Sequence, residues 1–223
     1  MWSQIVALAG KDIRLFLTRG HGLVLALLLG LLLIFLFSLA ASGEQKISGA
    51  WAAAIFWMAS CFSQVLVFNA LYALEDVHKA REALLMAPMP AQTVWAGKAV
   101  AGGVILFVLQ GVFIPACMVF LNLSAVHSWT WLLGSIALVD TGLIFLGALL
   151  GGMGAEQAGR DSLFTVILFP LFIPLLLAGI RLGGFVVEGL GLENPWAWVR
   201  LGASFDLVFG GLALLLFPFV YKE

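Results

Sequence analysis

Charge is what this chain has least of. Only 10% of its 223 residues are Asp, Glu, Lys or Arg, against about a quarter in a soluble domain. With 63% hydrophobic residues, the chain has more apolar surface than a water-soluble core can hide, whereas a bilayer is a solvent for it. The net charge of −1 offers no basic surface suited to nucleic acid. Cysteine is nearly absent. Cys61 and Cys117 both fall inside apolar runs, where they read as small buried residues, with no disulfide framework and no metal-ligand spacing. Nucleotide and protease signatures are missing too. Gly97-Lys98-Ala99 lacks the upstream glycine and the hydroxyl residue of a phosphate loop. There is no Gly-x-Ser-x-Gly, no His-Glu-x-x-His and no Ser–His set within the apolar runs, which argues against an intramembrane protease. The expectation is a protein that is not an enzyme and that binds no metal. If it uses ATP, a partner must bind it.

What is present is a series of apolar runs at residues 22–41, 49–71, 97–121, 129–152, 162–180 and 203–220. Each is long enough to cross about 30 Å of hydrocarbon as a helix. The runs are continuous and do not alternate with period two, so helices are expected rather than a barrel. The first run starts late, is long and has no small-x-small site after it, so it reads as a span and not as a signal peptide. The expected fold class is an all-α integral membrane protein, with residues 1–223 forming one transmembrane domain.

Orientation follows from Lys and Arg. Lys11, Arg14, Arg19, Lys79, Arg81, Lys98, Arg160 and Lys222 lie on one side, and Lys46, Arg181 and Arg200 on the other. Both termini are therefore expected in the cytoplasm, and residues 181–202 are expected to be the longest outer segment. Residues 2–19 are amphipathic: Trp2, Ile5, Val6, Ala9, Ile13, Phe16 and Leu17 share one face of a helix, with Ser3, Gln4, Lys11, Arg14 and Thr18 opposite. That pattern predicts a helix in the cytoplasmic interface with its cations at the lipid headgroups. Gly20-His21-Gly22 then permits a sharp bend into the first span.

The second connection, residues 72–98, holds most of the polar residues. Mixed charges, among them Glu75 and Glu82, lead into a short apolar stretch with Leu84 and Leu85, and Pro88 and Pro90 close it. A short helix ended by proline on the cytoplasmic face suits a docking element; an ordinary solvated loop is the plainer alternative. The fifth run carries Pro170 and Pro174. Two prolines four apart remove two backbone hydrogen bonds and predict a kink, readable as a hinge or as a membrane helix that merely tolerates proline. Gly147 and Gly151, and Gly179 and Gly183, have the four-residue spacing that lets helices approach closely.

Asp140 lies near the middle of the fourth run, where a carboxylate costs about 2.5–3.5 kcal/mol on insertion scales. A proton or substrate site is one reading. The other, favoured for an acid without a charged partner, is a structural hydrogen bond to Gln64, Asn69 or Gln110, the other polar groups inside the runs. His127 with Trp129 and Trp131 could be a haem ligand beside aromatics. The plainer account is an interfacial aromatic belt, shared with Trp196 and Trp198.

Taken with their order, these features resemble the CcmB family of cytochrome c maturation permeases, over nearly the whole chain. In that family the cytoplasmic loop has an acidic start, then Gly-x-Leu-Glu-x-Leu, then Leu-x-Pro-x-Pro. Glu75 falls at the acidic start, and Glu82, Leu84, Pro88 and Pro90 fall on its Glu, Leu and prolines. Arg160, Pro170, Leu171, Ile173 and Pro174 match a cationic turn before a Pro-Leu-x-Ile-Pro span. Lys79 stands where the family glycine sits and Arg81 where its leucine sits, so the loop departs in detail.

The resemblance implies a type-2 ABC exporter permease-like subunit of the inner membrane, with no cofactor of its own and haem as cargo of the complex. It also implies that Glu75, Glu82, Leu84, Leu85, Pro88 and Pro90 couple to a cytoplasmic, CcmA-like ATPase that binds ATP and Mg. CcmC-like and CcmD-like membrane proteins and a CcmE-like periplasmic haem chaperone are the other implied partners, and self-association is allowed. A type-2 export permease for lipid, glycan or drug, and a non-transport membrane scaffold, are the alternatives.

Overall fold

The computed structural model describes residues 1–41, 47–76, 84, 86–123, 126–154, 161–189 and 194–220. Among them the main elements are seven helices: α1 (Trp2–Arg19), α2 (His21–Ala41), α3 (Gly49–Asp76), α4 (Ala91–Phe120), α5 (Trp129–Gly154), α6 (Asp161–Glu188) and α7 (Pro195–Val220). The last six are long and apolar enough to cross a membrane, so the chain is a multi-pass membrane protein. Gly20 ends α1 with φ +67°, its N–H donating to the Phe16 carbonyl at 3.1 Å, and α2 begins at the next residue. Only glycine takes that left-handed turn without strain.

The centre of the bundle is α3, which packs against α2, α4, α5 and α6. Close approach is provided by small residues on its neighbours. A Cβ on Gly151 would meet the Tyr72 ring at 2.7 Å, and one on Gly183 would meet the Ala53 Cβ at 2.5 Å. Gly147 fits against Phe68 and Gly179 against Trp57 in the same way. Both four-spaced glycine pairs therefore face α3. Side chains of α3 bond to neighbouring backbone: Ser63 Oγ donates to the Ala26 carbonyl at 2.8 Å, Tyr72 Oη to the Ala148 carbonyl at 2.6 Å, and Gln64 Nε2 to the Leu143 carbonyl. In a bilayer, where lipid is as apolar as leucine, such packing and polar contacts hold helices together.

Several helices outrun their apolar runs, α3 among them, which continues to Asp76. α4 starts at Ala91, α6 continues to Glu188, and α7 starts at Pro195. The long outer segment expected at 181–202 is thus largely helical. The charges that suggested a loop are accommodated at helix ends, where long side chains reach the interface. Arg181 lies 5.6 Å from the Trp198 ring, and the Arg200 Nε donates to the Trp196 carbonyl at 3.3 Å.

Candidate functional site

The strongest polar constellation lies at the end of the bundle where α1, the last turn of α3 and the first turns of α4 meet. α1 buries Ile5, Ala9, Asp12 and Phe16, a stripe at helical spacing that puts one carboxylate among apolar groups. Trp2, Val6 and Leu17 stay exposed beside that stripe. Opposite Asp12, the Lys98 side chain is 1% exposed, and its Nζ lies 3.1 Å from Asp12 Oδ2 and 2.8 Å from Glu75 Oε1. It also donates to the Leu71 carbonyl at 2.8 Å. One N–H of the ammonium is thus directed at a backbone carbonyl, and the two carboxylates flank the charge at ion-pair distance. The Tyr72 ring centroid is 5.1 Å from Nζ, within cation–π reach. Lys11 Nζ, partly exposed, approaches Asp12 Oδ1 at 3.0 Å. Among the described residues the cluster sets two cations against two anions.

Glu75 is thereby turned inward and buried rather than presented at the surface. Of the other loop residues, Leu84 is half-buried, while Met86, Pro88 and Pro90 are exposed. The Ala87 N–H donates to the Leu84 carbonyl at 3.3 Å, and the Met89 N–H to the Ala87 carbonyl at 2.7 Å. Pro90 is extended (φ −70°, ψ 145°) and is the N-cap of α4. Glu82 and Leu85, like Lys79, Arg81 and Arg160, lie outside the described residues.

A second polar group lies within the spans. Gln110 Nε2 donates to Asp140 Oδ1 at 2.7 Å and lies 3.4 Å from Ser60 Oγ, joining α4, α5 and α3. Gln64, as described, bonds to α5 backbone, and Asn69 is exposed. Gln110 is thus the amide that meets Asp140. Asp140 is not the only acid in a span: Asp206 on α7 approaches Gly142 on α5, and its Oδ1 is buried with no hydrogen-bond partner among the described residues. Asp206 sits in the sixth apolar run and could have been flagged by the same rule that singled out Asp140. Asp12 had a signal as well, an acid on the apolar face of an amphipathic helix.

Pro170 and Pro174 lie within an uninterrupted α6 with both side chains exposed, while Phe172 and Leu175 pack inward. The proline face therefore turns away from the bundle. At the end opposite the ion cluster, Trp131 packs edge-on against Phe185 at 5.5 Å and Trp196 at 5.6 Å. His127 is exposed, its backbone N–H donating to the Val186 carbonyl at 2.9 Å. A partly open apolar pocket of about 70 Å³ lies between α3, α4, α5 and α6, with Trp57, Ile114, Cys117 and Val186 among its walls and no histidine among the described residues that line it. Nothing in that lining offers haem iron an imidazole.

The profile of the family described as CcmB protein matches residues 3–221. Heme exporter protein B of Rhodobacter capsulatus is 27% identical over 191 residues, covering 86% of this chain and 87% of the relative. Heme exporter protein B of Bradyrhizobium diazoefficiens is 27% identical over 217 residues, 95% of both chains. The protein of that name from Paracoccus denitrificans is 26% identical over 173 residues, 78% of this chain and 79% of the relative.

Proposed function

The chain belongs to the CcmB protein family, and from that premise we propose that it is the permease subunit of an ABC complex for haem export or delivery in cytochrome c biogenesis. The observation that carries this reading is the family match across nearly the whole chain, supported by relatives named Heme exporter protein B. In this reading residues 1–223 form one transmembrane domain of the type-2 ABC exporter kind. It lies in the inner membrane with both termini cytoplasmic and α1 in the interface. ATP and Mg are bound by a CcmA-like ATPase, since this chain carries no phosphate loop. CcmC-like and CcmD-like proteins complete the complex, which loads haem onto, or releases, a CcmE-like chaperone.

The loop supplies the ATPase contact. Its exposed Met86, Pro88 and Pro90, with half-buried Leu84, fit helix-in-groove docking, which depends on a few apolar anchors. Glu82 and Leu85 extend that surface, and Glu75 holds its base. Pro170 and Pro174 let α6 flex, and Asp140 serves the bundle as a structural hydrogen-bond acceptor.

The test is co-purification in mild detergent. Leu84→Asp or Leu85→Asp removes an anchor, a change worth more than about 1 kcal/mol at such sites. Each should shed the ATPase and stop cytochrome c assembly while the protein stays inserted. Full ATPase content and full assembly in both variants would defeat the docking assignment. Orientation has its own check. In intact cells an impermeant thiol reagent should label a cysteine replacing Glu44 or Glu193 and spare one replacing Gln92.

A further inference from the structure

We propose that Asp12, Lys98 and Glu75 form a clasp that makes α1 and the base of the cytoplasmic loop one lever, so that a displacement of the loop is delivered to α1 and α4. The proposal rests on the reading of that loop as the ATPase contact, and it assigns positioning roles to two residues, Asp12 and Lys98, that lie outside the loop's apolar surface.

Glu75 is in the last turn of α3, and Lys98 is eight residues into α4. Their 2.8 Å ion pair closes the base of the segment 76–97 as a clip would. Lys98 also donates to the Leu71 carbonyl, near the negative end of α3, where a cation is favoured and the Glu75 carboxylate by itself is not. Asp12 then ties the third element, α1, to the same ammonium at 3.1 Å. Tyr72 extends the connection to α5 through its bond to the Ala148 carbonyl. Push or pull on residues 84–90 therefore meets a base that cannot spread without separating charges.

Two features argue against simple glue. Apolar side chains of similar volume would hold the same helices without burying charge, and such replacements are often neutral or stabilising. Buried ionic sets are best attested as devices that fix register or switch between arrangements. The cluster also behaves as all or none. Moving one helix away strands a buried charge, which disfavours intermediate positions and suits a part that moves as a unit.

The experiment compares the unaltered complex with Asp12→Leu, purified with its ATPase and also assayed in cells. This replacement cuts the tie to α1 and leaves the Lys98–Glu75 pair in place, while Lys11, the other partner of Asp12, is partly exposed. The expected result is normal abundance, a retained ATPase and continued ATP hydrolysis, with cytochrome c assembled per ATP hydrolysed falling about tenfold, within the usual range of coupling between sites. An unchanged yield per ATP would overturn the clasp. If Asp12→Leu fails to accumulate, Asp12→Ala is scored by the same ratio, since it too removes the acceptor on α1 while leaving the Lys98–Glu75 pair. A fall in that ratio supports the lever, and a normal ratio overturns it. Absence of an ATPase from the unaltered complex would instead sink the functional reading, and the clasp with it. A normal complex with unchanged yield would sink the clasp alone.

Discussion

α2 and α3 are adjacent in sequence and packed side by side, yet they sit in the bundle in opposite ways. α2 is the more apolar of the two, and only 17% of its most apolar window is buried, against 67% for α3. The buried stripe of α2 is Ala26, Gly30 and Ile34, at every fourth position, while Leu25, Leu28, Leu32, Leu36 and Leu39 are exposed. α3 buries Ser60, Ser63 and Gln64 along with Trp57 and Phe68. In water the leucine-rich helix would be the core. In a bilayer, lipid satisfies leucine, and the inside goes to small residues that permit close packing and to polar residues that need protein partners. Hydrophobicity therefore marks the spans, and its local absence marks the centre.

The contrast breaks most sharply at the end of α3. Lys98→Ala alone leaves Asp12 and Glu75 buried without their cation, a loss of about 3–5 kcal/mol for a buried pair stripped of one member. Steady-state abundance in the membrane and thermal stability in detergent should both fall steeply. Behaviour like the unaltered protein would mean that the end of α3 does not depend on this ion.

Next comes packing on the α3 face. Gly147→Ala places a methyl against Phe68 and Gln64, and overpacking of this kind costs about 1–3 kcal/mol. Gly134→Ala on the same helix meets nothing within 4 Å and should be silent. Equal melting temperatures for the two variants would contradict the central position of α3.

Asp140 sharpens the polar half of the comparison. Asp140→Leu strands the Gln110 amide, with a loss of about 1–3 kcal/mol visible as lower abundance. Asp140→Asn keeps shape and hydrogen bonding and should sustain near-normal cytochrome c assembly. Failed assembly in Asp140→Asn at normal abundance and normal ATPase content would assign the carboxylate a functional role instead. The smallest effect is expected on the outer face of α2. Leu28→Ala and Leu32→Ala should stay within about 0.5 kcal/mol, as exposed positions do. A large loss of stability or of a partner subunit there would identify that face as a protein contact rather than a lipid one.

Much of this molecule is visible in the residue order. Continuous apolar runs announce the helices because nothing else crosses hydrocarbon with its backbone satisfied. Gln110 is one of three amides that the runs offer Asp140 as partners, since few polar groups occur within them. Gly20 at a bend and the four-spaced glycines at helix contacts were equally readable, because each reflects a local steric rule. The ends of α4, α6 and α7 were less so: Arg181 and Arg200 look like loop residues in a linear reading, though a long side chain can lie in the interface while its backbone stays helical.

What the sequence by itself determined is the set of membrane-crossing helices and the amphipathic helix before them, since length and apolarity alone select these against a bilayer. Only the tertiary structure decided that Asp12, Glu75 and Lys98 belong together. In the sequence they are a polar residue of an amphipathic helix, the acidic start of a mixed-charge loop and a cation at the edge of a span, separated by 63 and 23 positions. Their meeting requires α1 to fold back onto α4 beside the end of α3. No local periodicity encodes that contact, because it depends on three helices packing at once and on the high cost of leaving any one of those charges buried alone.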